Sequence, residues 1–524
     1  MASVTEMKAS PARPQAGKGK RTKKQRREST EQAAHWVIAG STAAILVTAA
    51  IQAYQHARQL LPMITARFQF DYEEGNILNA LNRILHGLSP YPDPHALPNV
   101  LNPYGPVAYY LLSVPARLAG LGFSGARILI ALCVLATCVM VSMLVWKETK
   151  SILTGAAFGL MYGAFGVVRD WSGIVRVDFL SVALATAGVF CFAQFHNRFD
   201  EASEQAPLLR NMYTWLSVCF FTAGVFTKPN CVAAPMACLL VLLIERRARH
   251  AWQFAALLGS VCLAMLAACV LATRGTIITH MFLSHPDPFL WSAYFDRLAA
   301  LSWTLGVLVI FAVVRIVSEL KHKTLSLASA WLLLSLMTAV TAGKLGSNTN
   351  HFLEWPVALC LVAAAGWTII TGLEARVLAA VLSVAGAVAV ILMLAGQTPS
   401  RDFFAGDRDC PAAYEFVRNS GGEDVLSENV GAVVLAGKRV WVSNLFVYSQ
   451  LIERGGWQDA GMNSMIAARR FSLIATSRNY LANRNYALYG SDRFPPEAIQ
   501  AMAQNYHLAA AFQCRDASFM FLPN

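Results

Sequence analysis

Long apolar stretches recur along this chain, and they constrain its fold more than any other sequence feature does. Each stretch holds roughly 17 to 25 residues, which as a helix is long enough to cross about 30 Å of hydrocarbon. In lipid, only helices and closed barrels satisfy every backbone polar group. Because these stretches are too long and too continuously apolar for barrel strands, the sequence predicts an α-helical polytopic membrane protein.

The composition supports the same class. Of the 524 residues, 56% are hydrophobic and only 14% are charged, whereas a soluble domain carries about 25% charged residues. The eleven cysteines show no spacing typical of a zinc site. Most of them lie inside apolar stretches, where cysteine acts as a small hydrophobic residue. A soluble enzyme is therefore excluded, and a zinc domain is not indicated.

Basic residues are concentrated at the N-terminus. Nine Lys and Arg lie within residues 1–30, against a formal net charge of +12 for the whole chain. The sequence predicts that residues 1–32 form a disordered cytoplasmic tail beside a first transmembrane helix. A nucleic-acid-binding arm would normally interleave aromatic residues with the charges. A signal peptide would have a shorter apolar segment and a cleavage site, so both alternatives are less favoured.

The positive-inside rule predicts the topology, because Lys and Arg are enriched in short cytoplasmic loops. With the N-terminus inside, five such loops lie together on the cytoplasmic side if the chain has about eleven spans. Residues 107–121 are apolar but short, and we interpret them as an interfacial or re-entrant helix. A twelfth crossing there would invert every later loop. The predicted spans cover residues 33–53, 126–146, 151–168, 178–195, 213–227, 230–244, 251–272, 299–315, 324–342, 356–373 and 377–396.

After the tail, the chain is predicted to have two parts. Residues 33–396 form a transmembrane catalytic module with a large extracytoplasmic loop over residues 55–122. Residues 397–524 have ordinary polarity, which predicts a small extracytoplasmic α/β domain. Cys410 and Cys514 lie near its two ends; a disulfide between them suits an oxidising compartment, and two free thiols are the alternative. The strand-like runs of this domain are VVLAG, RVWVS, SLIAT, LAAAF and SFMFL.

Three carboxylates lie within four residues of the predicted outer loop, at Asp71, Glu73 and Glu74. Clustered carboxylates repel one another, so the pKa of one of them rises, as suits a general base that deprotonates a hydroxyl. The alternative is a solvated acidic turn that caps a helix over residues 76–86, because acidic residues stabilise helix N-termini. The cluster by itself leaves both interpretations open.

Basic residues also occur on the predicted outer face, where the positive-inside rule predicts few of them. Arg176 lies with Asp178 at a membrane boundary. Lys228 lies in the short turn TKPN, and Lys344 begins a polar loop. Taken singly, each is more typical of a snorkelling or paired residue. Together they predict an anion site, most simply for a phosphate held by charge-assisted hydrogen bonds.

Polar and aromatic side chains near these charges are candidates for binding a substrate. Asn102 and Tyr104 precede a proline-terminated turn in the outer loop, although interfacial tyrosines more commonly form a membrane belt. Asn350, His351 and Glu354 lie in the polar loop GKLGSNTNHFLEW. The segment THMFLSHPDPF spaces its two histidines and its aspartate too loosely for metal ligation to be the favoured interpretation.

Several of these motifs, in their order along the chain, resemble the GT-C superfamily of membrane glycosyltransferases. The likeness is to the group that contains protein mannosyltransferases, aminoarabinose transferases and Rgt-type lipopolysaccharide glycosyltransferases. It covers most of residues 33–524. The motifs that carry it are the acidic motif FDYEEG, then HGLSPYPDP, NPYGPVAYYLL, RVDFLSVAL, FTKPN, GKLGSNTNHFLEW, VLSEN and GGWQD.

This resemblance implies a polyprenyl-phosphate sugar as donor and a catalytic carboxylate on the large outer loop. Transfer is expected to be one inverting displacement, with the carboxylate as base and the lipid phosphate as leaving group. The family motif is usually an adjacent Asp-Glu pair, and this chain departs from it, because the corresponding pair is Glu73-Glu74 and the aspartate, Asp71, lies two residues earlier. The base is therefore expected to be Glu73 or Asp71.

The same resemblance places Arg176, Lys228 and Lys344 where the family holds the donor phosphate. It implies that Asp178 orients the acceptor or tunes the first carboxylate. Because fixed cations can stabilise a leaving phosphate, no obligatory metal or other cofactor is expected.

The expected setting is the plasma (inner) membrane, with the N-terminus in the cytoplasm. The expected partners are membrane lipid, the lipid-linked donor, and a glycan, lipid or protein acceptor, and no nucleic acid. A transporter or flippase of a lipid-linked sugar is the main alternative, although no internal repeat is evident. A structural membrane anchor that displays the C-terminal domain is a further alternative.

Overall fold

The structure is a computed structural model that describes residues 23–199, 208–284, 287–397, 404–454, 456–482 and 493–524. Its first helix begins at Lys23, inside the segment 1–32 that the sequence predicted to be disordered. The rest of that predicted tail, residues 1–22, lies outside the described residues. Helices make up most of the described chain, and a small sheet lies near the C-terminus.

A series of helices forms the apolar part of the molecule. Their bounds are α1 Lys23–Thr65, α2 Tyr72–Leu85, α3 Pro106–Ala119, α4 Phe123–Thr149, α5 Ile152–Ala164, α6 Gly166–Ser172, α7 Asp178–Phe199, α8 Met212–Val225, α9 Ala233–Ile244, α10 Ala248–Ala272, α11 Thr276–Ile278, α12 Trp291–Thr304, α13 Gly306–His322, α14 Leu327–Thr338, α15 Trp355–Thr371 and α16 Arg376–Ala395. Within the described residues, six helices are long and apolar enough to cross a membrane. Two more pairs pass this test only across a bend, of 57° between α5 and α6 and 88° between α12 and α13.

Each segment that the sequence predicted to span the membrane is largely helical in the structure. The predicted span 299–315 is divided, because the chain turns sharply at Leu305 between α12 and α13. Three further apolar helices, α8, α9 and α14, have only 12 to 14 residues, fewer than the roughly 20 of a full span. The chain is a multi-pass membrane protein, while the count of eleven spans and their sidedness remain predictions.

The helix α15 lies at the centre of the bundle. In its span, 78% of the residues are buried inside the protein, against 6% for α10. At Gly366 of α15, an added Cβ would lie 1.9 Å from the carbonyl oxygen of Phe311 on α13. Small residues permit such close backbone contact, on which helix association in lipid depends. The polar loop that precedes α15 is therefore attached to the most buried of the six candidate spans in the described residues.

The helices α2 and α3 carry the motifs of the predicted outer loop. Each has 14 residues, which corresponds to about 21 Å of helix and is shorter than a bilayer core. The length of α3 agrees with the interpretation that residues 107–121 do not cross fully, although their depth in the membrane remains a prediction.

A compact C-terminal domain follows α16. Its elements are α17 Cys410–Asn419, β1 Asp424–Ser427, α18 Val430–Leu435, β2 Arg439–Val440, α19 Leu445–Glu453, α20 Met462–Ala467, β3 Leu473–Thr476, α21 Pro496–Asn505, β4 Tyr506–Ala511 and β5 Phe519–Pro523. The sheet order is β2-β1-β3-β5-β4. The first three strands are parallel, and β5 runs antiparallel to both of its neighbours.

The α/β character predicted for this domain is therefore observed, with two local differences. The run VVLAG lies in and just after α18 rather than in a strand, because the Asn429 side chain caps a short helix there by accepting from the Ala432 N–H at 3.0 Å. The strand β1 was missed because only two of its four residues are apolar.

The C-terminal domain is joined firmly to the membrane module. Cys410 and Cys514, 104 residues apart, form a disulfide within the domain. The Arg515 guanidinium donates to the carbonyl of Phe70 at 2.6 Å. In addition, Asn99 of the outer loop pairs with Val442 as an isolated parallel bridge, next to β2. The domain therefore lies directly over the acidic motif.

Candidate functional site

The acidic motif forms the N-terminus of α2. Asp71 is the N-cap, and its Oδ1 accepts the N–H of Glu73 at 3.1 Å. This contact satisfies one of the free N–H groups of the first helical turn. Asp71 therefore caps the helix, as in the alternative interpretation that the sequence left open. It directs the side chains of Glu73 and Glu74 along different faces of α2.

Glu74 is fully buried and forms an ion pair with Arg127 of α4, which is fully buried as well. Both carboxylate oxygens accept from the Arg127 guanidinium, at 2.9 and 3.0 Å. They also accept the N–H of Phe70 at 2.6 Å and of Val175 at 2.7 Å. With its oxygens occupied and closed to solvent, Glu74 has no means of reaching a substrate. The prediction that Glu74 is catalytic is therefore corrected to a structural role.

Arg176 is the centre of a second, more open cluster. Its guanidinium donates to Asp71 Oδ1 at 2.7 Å and to the hydroxyl of Tyr104 at 3.1 Å. It also contacts Asp178 Oδ2 at 3.4 Å. The side chains of Arg176 and Asp71 keep 15% and 22% of their exposure. Residues from two separate predicted outer segments, the large outer loop and the segment that precedes α7, thus meet at one guanidinium.

Asp178 continues the cluster towards the centre of the bundle. Its Oδ1 accepts from Lys228 Nζ at 2.5 Å and from the Asn350 amide at 3.0 Å. Only 3% of the Asp178 side chain is exposed, against 11% for Lys228. Asp178 therefore contacts Lys228 through Oδ1 and Arg176 through Oδ2. These two neighbouring cations are called the cationic wall below.

Glu73 has one hydrogen-bonded carboxylate oxygen, and its other oxygen is buried without such a bond to any residue that the structure describes. Its Oε1 accepts from the Asn444 amide of the C-terminal domain at 3.0 Å. Its Oε2 is buried and has no hydrogen-bond partner among the described residues. Burial raises the pKa of the Glu73 carboxyl, although Arg176 acts in the opposite direction. Such a group is suited to accepting a proton from a ligand.

The motif NPYGP is fixed to the turn that carries Lys228. The Gly105 N–H donates to the Thr227 carbonyl at 3.2 Å. A Cβ on Gly105 would lie 1.9 Å from the carbonyl oxygen of Phe226, so this contact requires glycine. The close approach places Tyr104 against Arg176, and burial raises the pKa of the Tyr104 hydroxyl, which keeps it neutral.

Asn102 lies in the same motif but does not face the cluster. Its amide donates to the Pro90 carbonyl at 2.5 Å, and the side chain is fully buried. Its backbone N–H donates to Nδ1 of His280 at 3.1 Å, while Nε2 of His280 contacts the Pro92 carbonyl at 2.8 Å. Asn102 therefore stabilises the outer loop, contrary to its predicted role in substrate binding.

These contacts also bear on the histidine segment that the sequence considered for metal ligation. Both ring nitrogens of His280 are occupied, and burial lowers the pKa of this imidazole. His285 lies outside the described residues. Among the described residues, one group of side chains has metal-ligand geometry, namely Asp407, Cys410 and Cys514. Its two sulfurs form the disulfide, so they are not available as ligands.

The polar loop before α15 lines a small cavity beside Lys228. His351 Nδ1 contacts the Thr341 hydroxyl at 2.9 Å, and Glu354 accepts from the indole N–H of Trp331 at 2.6 Å. The cavity encloses about 20 Å³, which is enough for one water molecule. Asn350, His351 and Glu354 thus support Asp178 and Lys228 from behind, and a sugar does not fit among them as they stand.

Lys344 lies apart from this cluster as far as hydrogen bonds and ion pairs show. Its backbone forms an antiparallel bridge with Phe289. Its charge lowers the pKa of Asp287, whose carboxyl pKa is nevertheless raised by burial. The structure thus brings two of the three predicted cations together, Arg176 and Lys228, and places the third against a different carboxylate.

An apolar groove opens next to the cationic wall. It encloses about 310 Å³. Phe226 and Pro229, which flank the Lys228 turn, form one side, and exposed side chains of α10 and the segment after α11 form the other. The full lining is Val225, Phe226, Pro229, Cys262, Leu263, Leu266, Met281 and Phe282.

Sequence reasoning missed Arg127 and Asn444. Arg127 is a charged residue inside the apolar stretch of α4. Because intramembrane charges normally have a partner, the sequence could have indicated that Arg127 forms an ion pair. No feature of the sequence pointed to Asn444, because its contact with Glu73 joins positions 371 residues apart.

A scan against protein-family models and a search of curated proteins found no match to this chain. Solved structures do match. The aminoarabinose transferase ArnT of Cupriavidus metallidurans aligns over 90% of this chain and 97% of its own, with a TM-score of 0.59 and 10% identity in the apo state. Its complex with undecaprenyl phosphate gives a TM-score of 0.57 at 9% identity, with the same coverage.

The oligosaccharyltransferase of Archaeoglobus fulgidus, in its apo form, aligns over 92% of this chain and 74% of its own. Its TM-score is 0.52 at 11% identity. Both proteins belong to the GT-C superfamily. The chain therefore has the GT-C fold that the sequence motifs resembled.

Proposed function

We propose that this protein is an inverting glycosyltransferase that moves a sugar from a polyprenyl-phosphate donor to an extracytoplasmic glycan, lipid or protein acceptor. One observation carries the proposal. Glu73 Oε2, a buried carboxylate oxygen that accepts no hydrogen bond from any residue the structure describes, lies in the same cluster as two cations that share one carboxylate. An apolar groove begins at the same turn as one of those cations.

These three parts match the three parts of a lipid-linked donor reaction. The groove accepts an isoprenoid chain, Arg176 and Lys228 bind the phosphate, and Glu73 faces the acceptor hydroxyl. The fold comparison supports this assignment, since one neighbour was crystallised with undecaprenyl phosphate and another with a tethered acceptor peptide. Identity near 10% leaves the donor of this chain to be determined by experiment.

In the proposed reaction, the acceptor hydroxyl oxygen attacks the anomeric carbon of the donor from the face opposite the phosphate. Glu73 Oε2 removes the hydroxyl proton as the new carbon–oxygen bond forms. The bond from the anomeric carbon to the phosphate oxygen breaks, and its electron pair stays on the phosphate. Arg176 and Lys228 stabilise the negative charge that develops there. The anomeric configuration inverts, and Glu73 is left protonated until it releases the proton to water.

Asp71 and Asp178 are proposed to position the cations rather than to take the proton. Each contacts Arg176, and Asp178 also holds Lys228. Asp71 Oδ1 is in addition occupied by the helix cap. Tyr104 supports the same guanidinium from the other side. Of the two bases that the sequence left open, the contacts therefore favour Glu73.

The site is proposed to lie on the extracytoplasmic side of the inner membrane, with the N-terminus in the cytoplasm. The disulfide of the C-terminal domain supports this sidedness, because disulfides persist in oxidising compartments. Labelling of single cysteines with a membrane-impermeant reagent checks it. If cysteines placed in the C-terminal domain react with the reagent only after the cells are permeabilised, the proposed orientation is overturned.

No obligatory metal is proposed, because Arg176 and Lys228 can stabilise the charge that develops on the leaving phosphate by donating charge-assisted hydrogen bonds to it. The expected result is full transfer activity in excess chelator. Loss of activity in the chelator, with recovery on adding a divalent cation, would overturn this part of the proposal.

The base assignment is tested by transfer from a synthetic polyprenyl-phosphate sugar to a panel of acceptors in detergent. We expect Glu73→Gln to lower kcat/KM by about 10²- to 10⁴-fold, the contribution of a general base. Asp71→Asn is expected to raise the KM for the donor, since it loosens Arg176. The matched control is Asp93→Asn, an exposed carboxylate of the same outer loop, which should leave the rate unchanged. Full activity of Glu73→Gln would overturn Glu73 as the base.

A further inference from the structure

The amide of Asn444 connects the C-terminal domain to the free carboxylate of the cluster. Asn444 is the N-cap of α19, and its Oδ1 accepts the Val447 N–H at 3.0 Å. Its Nδ2 donates to Glu73 Oε1 at 3.0 Å. Only 2% of Asn444 is exposed, so water does not compete for these bonds.

The two contacts fix the orientation of the amide group. The helix cap requires an acceptor, so the oxygen of Asn444 must face the α19 backbone. The NH₂ group is then left to face Glu73, where it acts as a donor. A flipped amide would lose both bonds at once. The cap of one domain thus presents a permanent donor to a carboxylate of the other.

The frame around this contact is rigid. In α2, a Cβ on Gly75 would lie 2.6 Å from the Gly431 backbone nitrogen, so α2 and α18 are in direct backbone contact. The Gln69 side chain accepts the Gly431 N–H at 3.1 Å. On the other side of Glu73, the Arg493 guanidinium stacks on the Tyr72 ring at 4.4 Å. These contacts join α2 and the residues beside it to the C-terminal domain close to the bond between Asn444 and Glu73.

We infer that Asn444 is a positioning residue for Glu73, which it holds by Oε1 so that Oε2 faces the acceptor. The C-terminal domain then completes the active site instead of only covering it. This inference rests on the proposed function, because it assigns a purpose to the free oxygen of Glu73. It goes beyond that function in placing part of the catalytic apparatus 371 residues from the acidic motif.

The charge environment of Glu73 determines what a change at Asn444 does. Asp71 and Tyr72 face Glu73 from its own segment, and Arg176 faces it from the segment after α6. Tyr104 and Tyr109 face it from the NPYGP segment. The Asn444 amide is the contact from the C-terminal domain, and it favours the ionised carboxylate.

The decisive variant is Asn444→Asp. An aspartate keeps the helix cap but replaces the donor with a second carboxylate facing Glu73, and paired carboxylates resist ionisation. We expect the acid limb of the pH profile of kcat/KM to move up by about one pH unit. At pH values below the acid limb, kcat/KM of the variant should then be about tenfold lower than that of the wild type. The plateau rate and the donor KM should stay near their wild-type values.

A second variant tests the inference independently, in case Asn444→Asp does not fold. Asn444→Ser retains a capping side chain but is too short to reach Glu73. It should lower the plateau kcat severalfold without a comparable rise in the donor KM. The matched control is Asn211→Asp, the same change at the N-cap of α8, which should leave the pH profile in place. In a Glu73→Gln background, Asn444→Asp should have no further effect on the profile.

An infrared pH titration of the Glu73 carboxyl band, assigned by its loss in Glu73→Gln, gives a readout that needs no transfer. A band that shifts upward in Asn444→Asp, together with a shifted rate profile, supports the inference. If the band shifts but the wild-type protein transfers no sugar, the contact stands and the proposed function falls. An unchanged band and an unchanged profile in an active Asn444→Asp protein would overturn the inference.

Discussion

Glu73 and Glu74 are adjacent in sequence and identical in chemistry, yet they end in opposite environments. Glu74 lies on the face of α2 that turns towards α4, where Arg127 and two backbone N–H groups occupy its oxygens. Glu73 lies on the face that turns towards the C-terminal domain, where one oxygen accepts from Asn444 and the other has no hydrogen-bond partner in the described part of the chain. The helical rotation between consecutive residues is sufficient to separate the carboxylate of a buried ion pair from the carboxylate proposed as the base.

The two regions also differ in how their cations are used. The five N–H donors of Arg127 are consumed by Glu74 and by the carbonyls of Met63, Ala66 and Phe68. Arg176 and Lys228 instead form ion pairs that remain partly exposed. A ligand anion can compete for the second pair of cations and not for the first. The fully hydrogen-bonded region around Arg127 therefore stabilises the fold, and the partly exposed region around Arg176 and Lys228 is the one proposed to bind the donor phosphate.

The largest expected effect is on the buried ion pair. Glu74→Gln leaves the Arg127 charge uncompensated, which costs roughly 3 to 5 kcal/mol for a buried pair. We expect poor accumulation and a strongly lowered apparent Tm in detergent. Glu28→Gln, at an exposed residue of α1, is the control and should be neutral. A stable Glu74→Gln protein that has lost only its activity would reverse the distinction between the two glutamates.

The next effect is on donor binding. Arg176→Ala and Lys228→Ala each remove charge-assisted hydrogen bonds worth about 1.5 to 3 kcal/mol, so the Kd for a polyprenyl-phosphate analogue should rise roughly 10- to 100-fold. Lys344→Ala should change this Kd much less, since Lys344 lies against Asp287. An equal loss of affinity for the analogue in all three variants would mean that Lys344 also binds the phosphate.

The smallest expected effect is on the stability of Glu73→Gln. Because Glu73 Oε2 has no partner among the described residues and burial raises the pKa of its carboxyl, replacement by the amide removes little. The unfolding free energy should change by only about 0.5 kcal/mol in either direction. Thermal melts of Glu73→Gln and Glu74→Gln in one detergent compare the two directly. A loss similar to that of Glu74→Gln would mean that Glu73 is structural as well.

Much of the fold was predictable because it depends on local composition. The length of an apolar stretch determines whether it is a helix in lipid, and each predicted span is largely helical. The proximity of two of the predicted site residues was also predictable, because basic residues on the outer face of a membrane protein have few explanations. Arg176 and Lys228 were found in this way. Lys344 satisfied the same criterion but lies outside this cluster. Asn102 and Glu74 were predicted for other reasons, and their side chains bond to Pro90 and Arg127.

The sequence alone determined that the chain lies in a membrane, since no soluble packing can bury so much apolar surface, and it indicated which segments carry ionisable groups. Only the tertiary structure decided which of those groups meet. The separation of Glu73 from Glu74 depends on Arg127 of α4 and Asn444 of the C-terminal domain, 53 and 371 residues away. Such pairings follow from how helices and domains pack together, and local sequence periodicity carries no information about them.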